Sequence, residues 1–186
     1  DDHARDIDGL VKNVRRCIDT GVAGLSIEDA TGDAAQPLYA FDEAIARIRA
    51  ARAAIDASGQ DVLLVARAEC FLVGHADALN ESVRRLRAYA DAGADCLFAP
   101  GARETGQIAV IVDAVAPKPV NVLVGRAAPY TLADLARLGV RRVSVGGALA
   151  GAAWGGFLNA ARELAAGRFD GFAGNATHDE MDALMR

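Results

Sequence analysis

Cysteine and aromatic residues are scarce. The 186 residues include three Cys, one Trp, three Tyr and six Phe. Cys17, Cys70 and Cys96 are odd in number, form no Cys-x-x-Cys pair and have no histidine at zinc-ligand spacing. That excludes a disulfide framework and fits a reducing, cytoplasmic setting. Positive charge is also in deficit. Twenty Lys and Arg against 25 Asp and Glu leave a net charge of -5, with no basic cluster, so no nucleic-acid partner is expected. The opening Asp1-Asp2-His3-Ala4-Arg5-Asp6 is too polar for a signal peptide. One long uncharged run exists, the 19 residues from Val143 to Ala161. It is long enough to reach across a bilayer, but it is mostly Gly and Ala, whose transfer into lipid is weakly favourable at best. A buried strand followed by a tightly packed helix is expected there, and no membrane partner. No linker or low-complexity segment interrupts the chain, so a single domain over 1–186 is expected, with a polar tail over 169–186.

What is present is a globular composition, 52% hydrophobic and 24% charged, arranged in two alternating textures. Short branched apolar runs read as buried strands: Ala23–Ile27, Val62–Ala66, Asp95–Ala99, Val120–Val124 and Arg142–Val145. Between them lie stretches with helical period. Phe41, Ala44, Ile45, Ile48, Ala51 and Ile55 fall on one face, with Arg47, Arg49 and Arg52 mostly off it. Val83, Leu86 and Ala90 make a similar stripe. Gly21, Gly59, Gly93 and Gly139 stand where a left-handed helix C-cap is wanted, and Pro117 and Pro119 punctuate the remaining unit. Asp77 and Thr131-Leu-Ala-Asp134 read as helix starts. The order is one helix, then five strand–helix units. Such alternation implies a parallel sheet covered on both faces, either an open doubly wound sheet or a (β/α)8 barrel. A barrel needs eight strands and roughly 250 residues, more than this chain holds.

In either architecture the working groups lie at the carboxyl ends of the strands. Those ends carry Glu28-Asp29, then Arg67 with Glu69, then Pro100-Gly101, then Asn121 with Gly125-Arg126, then Ser144 with Gly146-Gly147. Carboxylates suit Mg2+, a hard cation that keeps much of its water. An Arg fork suits a carboxylate or phosphonate. Together they would hold a 2-oxo acid and stabilise an enolate. Each position has a plainer alternative. Asp29 would instead cap the following loop, Arg67 would form an internal ion pair with Glu69 or Glu28, and Gly146-Gly147 would make a tight turn rather than an anion cradle. Cys70 lies near this mouth without a visible base, Cys17 and Cys96 read as small buried residues, His75 as a loop residue, and His3 and His178 as exposed.

Ser26-Ile-Glu-Asp-Ala-Thr-Gly32 and, some 40 residues on, Val65-Ala-Arg-Ala-Glu69 resemble the isocitrate lyase / phosphoenolpyruvate mutase superfamily. Ala90–Phe98, Pro119–Leu123 and Leu138–Gly147 continue the resemblance in the same order along nearly the whole chain. It implies a (β/α)8 barrel with an extra C-terminal helix, often exchanged between subunits. This chain resembles the part from the third helix onward, that is, five strand–helix units and a helical tail. The first three strands, which in the family supply a substrate-cradling loop and the main metal-binding aspartates, have no counterpart in it. The resemblance implies Glu28 as a metal-shell glutamate acting through metal-bound water, with Asp29 beside it, and Arg67 as the arginine gripping the substrate carboxylate or phosphonate. It implies Glu69 as its acidic companion and Asn121 as a polar contact to substrate. The implied cofactor is Mg2+ and the implied partner a small carboxylate.

The loop after the first strand departs from the family pattern. The lyase branch carries a Lys-Lys-Cys-Gly-His-type motif there and the phosphonate branch an Asn-Ser pair. Here Asp29-Ala-Thr-Gly-Asp-Ala-Ala-Gln-Pro-Leu-Tyr39 has no Cys, Lys or His, so a cysteine general acid is not expected from it. Thr31, Gly32 and Asp33 lie in this polar, Gly-containing stretch, which is placed to act as a lid. The expected activity is Mg2+-dependent bond breaking or making next to the carbonyl of a small 2-oxo or 2-hydroxy carboxylate. Phosphonate chemistry and a non-catalytic partial-barrel module are the alternatives. Ala148, Gly151, Ala152, Gly155 and Gly156 form a small-residue face in the last long helix. Such a face permits close packing within the chain or across a subunit interface, with Trp154 and Phe157 as natural anchors. The exchanged last helix that the resemblance implies favours the interface, hence a homo-oligomer through that helix.

Overall fold

A computed structural model describes residues 4–185. His3 lies outside them. The described chain forms two compact units, one ending at Ser144 and one beginning at Val145. In chain order the first holds α1 (Ile7–Ile18), β1 (Gly24–Glu28), β2 (Ala30–Asp33), β3 (Gln36–Leu38), α2 (Phe41–Ser58), β4 (Leu63–Arg67), α3 (Ala78–Asp91), β5 (Cys96–Phe98), α4 (Thr105–Val115), β6 (Val120–Leu123), α5 (Leu132–Arg137) and β7 (Arg142–Ser144).

The five strands read from the sequence are all present and form one parallel sheet in the order β1-β4-β5-β6-β7. Each strand is added beside the last in one direction. A doubly wound sheet would reverse its order at a switch point, and none occurs here. The arrangement is that of a (β/α)8 barrel with five strands laid down. The stretch after β1, read as a loop, instead forms an antiparallel hairpin of β2 and β3. Its short polar strands lack the apolar alternation that would have marked them.

Alternation along each strand sorts the side chains into two layers. Ile27, Leu64, Ala66, Leu97, Val120 and Val122 join the main core with Leu10, Ile48, Leu86, Ile108 and Leu135 from the helices. Val65, Cys96 and Phe98, packed with Leu123, form a separate smaller cluster. Truncating a fully buried core residue such as Leu86 to Ala should remove about 2–5 kcal/mol of stability.

The helix punctuation behaves as expected at Gly59, a left-handed C-cap with φ +68°, and at Thr131, whose hydroxyl and Asp134 form a capping box. Asp77 does precede α3, but its carboxylate takes the Asn80 amide instead of a backbone N–H. The α3 stripe is also offset. The buried positions are Ser82, Arg85, Leu86 and Tyr89, with Val83 and Ala90 half-buried. Arg47 is buried as well, although it was expected off the apolar face. Its guanidinium donates to the Ala4 carbonyl at 3.0 Å and lies 4.3 Å from the Tyr39 ring centre.

The second unit holds α6 (Ala148–Ala165), a short 3-10 turn (Asp170–Phe172) and α7 (His178–Leu184). Thr177 and Glu180 close a capping box on α7, so the polar tail is partly helical. Trp154 and Phe157 are exposed and meet edge to face at 5.5 Å. No helix among the described residues is long and apolar enough to cross a membrane.

Candidate active site

Strand register builds the site. Glu28 pairs with Arg67, Arg67 with Phe98, Phe98 with Asn121, and Asn121 with Arg142. Neighbouring strands lie about 4.8 Å apart, so these five side chains make one lateral row on the sheet face that carries the smaller cluster. Arg67 is the centre of the row. Its Nη1 meets Glu28 Oε1 at 3.0 Å and its Nε meets Glu69 Oε1 at 2.7 Å, while its guanidinium lies 5.3 Å from the Phe98 ring centre. Arg67 and Glu28 keep 23% and 30% of their side-chain surface in solvent, whereas Glu69 keeps 3%. A partly solvated guanidinium is thus held on two sides by carboxylates, with the rest of its fork at the strand ends. The internal ion pair weighed as the plainer reading of Arg67 exists with both candidates at once.

Burial raises the Glu69 carboxyl to about 7, with Arg67 opposing the rise and Glu28 and Asp29 adding to it. Glu69 therefore titrates near neutrality at the edge of the site.

Asp29 is not where a metal ligand would be. It is buried, and its oxygens are engaged within the fold. Oδ1 accepts the Glu69 backbone N–H at 2.8 Å, and Oδ2 accepts Arg85 Nη1 at 3.0 Å and the Tyr89 hydroxyl at 2.6 Å. The reason is its position one residue past Glu28, on the opposite side of the strand, where it faces α3. Among the described residues no group of three His, Cys, Asp or Glu side chains is arranged to hold a metal ion. The half-exposed carboxylate of Glu28 alone does not amount to a complete Mg2+ site, so the donor set of these residues does not by itself fit the cation.

Asn121 is buried, and its carboxamide bridges neighbours, accepting from Arg142 at 2.8 Å and donating to Ser144 at 3.0 Å. It stands in the row with its carboxamide spent on these two neighbours. Arg142 is the exposed cation at that end. Gly146 and Gly147 belong to the second unit, both exposed, just before α6. Thr31, Gly32 and Asp33 form one arm of the hairpin turn. The Thr31 hydroxyl donates to the Gln36 carbonyl and accepts the Asp33 N–H, and the Asp33 carboxylate accepts the Ala35 N–H at 2.8 Å. Cys70 is fully buried and its thiol is pushed up to about 11 by that burial, the opposite of an activated nucleophile. Cys96 is buried as expected, while Cys17 is only half-buried.

Three features escaped the sequence. Arg85 and Tyr89 were missed because a charge and a phenol on a helix read as outward-facing. The recurrence of 82, 85, 86 and 89 at i, i+3, i+4 and i+7 was the available signal. Arg142 was read only as part of a strand. A hollow of about 500 Å3 lies among the loops that follow β4, β5 and β6, lined by Leu72, Gly101, Arg103, Thr105, Arg126 and Tyr130 among others, and no spacing announced it.

Residues 2–165 match the family model described as phosphoenolpyruvate phosphomutase. The chain belongs to the phosphoenolpyruvate phosphomutase family. The match takes in Glu28, Asp29, Arg67, Glu69, Asn121, Gly146 and Gly147. Among relatives, an oxaloacetate decarboxylase of Paraburkholderia xenovorans (strain LB400) is 35% identical over 140 residues, covering 72% of this chain and 44% of its own length. A provisionally assigned lyase/mutase structure from Burkholderia cenocepacia J2315 superposes with a TM-score of 0.92 at 41% identity, over 98% of this chain and 66% of its own. Oxaloacetate acetylhydrolase in complex with the product oxalate superposes with a TM-score of 0.75 at 28% identity, over 85% of this chain and 55% of its own. The chain spans about half the length of the curated relatives it matches. A structure of 2,3-dimethylmalate lyase, a member of the phosphoenolpyruvate mutase/isocitrate lyase superfamily, superposes with a TM-score of 0.79 at 26% identity, over 97% of this chain and 62% of its own, so the fold is shared with that superfamily.

Proposed function

We propose that this chain carries the arginine side of a lyase active site acting on a small 2-oxo carboxylate, with oxaloacetate as the first substrate to test. The observation that carries the reading is Arg67, a partly solvated guanidinium at a strand end, oriented by Glu28 and Glu69. A fork held in this way presents its remaining N–H groups to a carboxylate in two parallel charge-assisted bonds. In decarboxylation the C3–C4 bond of oxaloacetate, one carbon removed from the keto carbon, breaks and CO2 leaves. The electron pair left on C3 passes into the C2 carbonyl to give the enolate of pyruvate, which then takes up a proton at C3. A fixed positive charge beside the developing enolate lowers that barrier without reorganising. Glu28 and Glu69 keep the charge aimed, and the hairpin over 30–38 restricts water at the mouth. Six of the relatives are named oxaloacetate decarboxylase, which supports a C–C cleaving reaction.

The Mg2+ that the resemblance implies would need ligands beyond those of the described residues, with Glu28 contributing to its water shell. The phosphonate reading stays second. It is supported by the description of the family model and by the same Arg67, whose fork fits a phosphonate equally well. A homo-oligomer through α6 and a cytoplasmic setting remain part of the proposal, supported by the exposed Trp154 and Phe157 and by the odd, unpaired cysteines.

The test is a calorimetric titration with oxalate, a stable mimic of pyruvate enolate, with and without Mg2+. Alongside it runs an assay for pyruvate released from oxaloacetate. Binding that is abolished in Arg67→Ala and weakened in Glu28→Ala is expected. A folded chain that binds no oxalate under either condition would overturn the reading and leave the non-catalytic module in its place.

A further inference from the structure

The use made of Arg67 leaves a second group of buried polar side chains without a task. Behind the ends of β1 and β4, Asp29 collects three hydrogen bonds, from the Glu69 backbone N–H at 2.8 Å, Arg85 at 3.0 Å and the Tyr89 hydroxyl at 2.6 Å. Arg85 spreads its fork in three directions. Nη1 goes to Asp29, Nη2 to the Tyr39 carbonyl at 3.1 Å and Nε to Glu81 at 2.7 Å. The Tyr39 N–H in turn donates to the Asp29 carbonyl at 2.9 Å, closing the base of the β2–β3 hairpin. Asp29, Arg85 and Tyr89 are all nearly inaccessible to solvent. A fully desolvated ionic cluster is an expensive way to hold a core together, since apolar residues of similar volume often serve stability as well.

The cluster connects to the site by an unbroken path. Tyr89 and Arg85 hold Asp29, Asp29 holds the Glu69 backbone, and the Glu69 carboxylate holds Arg67 Nε. We propose that Arg85 and Tyr89 are positioning residues that act through Asp29. They set the height of Glu69 at the end of β4, and so the direction in which Arg67 presents its fork, and the same Arg85 fixes the base of the hairpin. Only a planar guanidinium serves this geometry, because a lysine ammonium is a point charge that cannot span three acceptors set in three directions. The inference rests on Arg67 being the group that grips the substrate carboxylate.

Tyr89→Phe isolates the effect, because the ring stays in the core and only the hydroxyl is lost. Arg85→Lys is the harsher variant, and Ile108→Val on α4 serves as a core control matched by thermal stability. Two readouts follow the path, namely exchange of the Glu69 amide proton and the Arg67 Nε–H resonance in 1H–15N spectra. Oxalate titration provides a third. In Tyr89→Phe the Glu69 amide should exchange about tenfold faster relative to other β4 amides. The Arg67 Nε–H signal should shift or broaden, and the oxalate Kd should rise about 3- to 10-fold. The control should move none of these. An unchanged Glu69 amide and Arg67 signal in Tyr89→Phe overturns the proposal. So does a changed amide with an unchanged oxalate Kd. If the spectra change as expected but the parent chain binds no oxalate, the positioning path stands and the reading of Arg67 as the substrate group falls.

Discussion

Replacing Arg67 with Met tests the centre of the site through its pH dependence. The substitution removes the guanidinium from between Glu28 and Glu69 while roughly keeping the aliphatic stem that passes Phe98. Glu69 is then 3% exposed with its cationic partner gone. Burial has already raised Glu69 to about 7, and Arg67 is the main influence pulling it down, so the variant carries a still higher value. At pH 5 the Glu69 carboxyl is protonated in both proteins. The loss there is one hydrogen bond and some packing, about 1 kcal/mol. At pH 8 the parent holds an ionised Glu69 against Arg67, whereas the variant must leave that charge unpaired or take up a proton to neutralise it. The loss should grow to about 2–3 kcal/mol. Denaturant unfolding at pH 5, 6.5 and 8 measures the difference, and the titration of the Glu69 carboxyl carbon by 13C NMR gives the shift directly. A stability difference that is flat across this range would refute the coupling between the two side chains. In the same variant oxalate binding should weaken at least tenfold, the worth of one charge-assisted pair. Binding within twofold of the parent would remove Arg67 from the substrate site.

Glu69 also sets a slope in the parent protein. Its folded value of about 7 lies above the ordinary 4.5. The folded state therefore binds the proton more tightly than the unfolded chain, and this residue's contribution makes stability fall as pH rises from about 4.5 to about 7. Glu69→Gln should flatten that part of the profile in thermal melts, and an unaltered slope would contradict it. Gly93 has φ +101°, and a Cβ there would sit 2.7 Å from Arg52 Cγ. Gly93→Ala should destabilise by about 1–3 kcal/mol and loosen the Arg52–Asp95 pair, measured as a drop in the urea midpoint. Cys70, fully buried with its thiol at about 11, should resist iodoacetamide in the native state and react at the rate of a free thiol only on unfolding. Mass spectrometry of the alkylated peptides decides between the two.

The sequence by itself determined the strands and the order of parts. Runs such as Val120–Leu123 are branched and apolar because one face of the sheet packs on the helices and the middle of the other holds the small cluster of Val65, Cys96 and Phe98, although Leu63 on that second face is exposed. That local demand is written in composition. Positive-φ glycines such as Gly59 and the Thr131 cap were legible for the same reason, since each answers to the backbone beside it. The sequence also named Glu28, Arg67 and Glu69, because strand ends are where polar residues interrupt an apolar run. Only the tertiary structure decided what those residues touch. Asp29 differs from Glu28 by one position, yet it turns to the helix side and is consumed by Glu69, Arg85 and Tyr89. Its partners lie about 40 to 60 positions away in the chain, a distance no periodicity reports. Arg85 went unread and Arg47 was placed off the apolar face because a charge on a helix is by default solvated, and only packing partners brought from elsewhere make burial tolerable. Residue type and local spacing fix which groups stand at the mouth of the sheet. The register between strands, and the helix packed behind them, fix which of those groups remain available to a ligand.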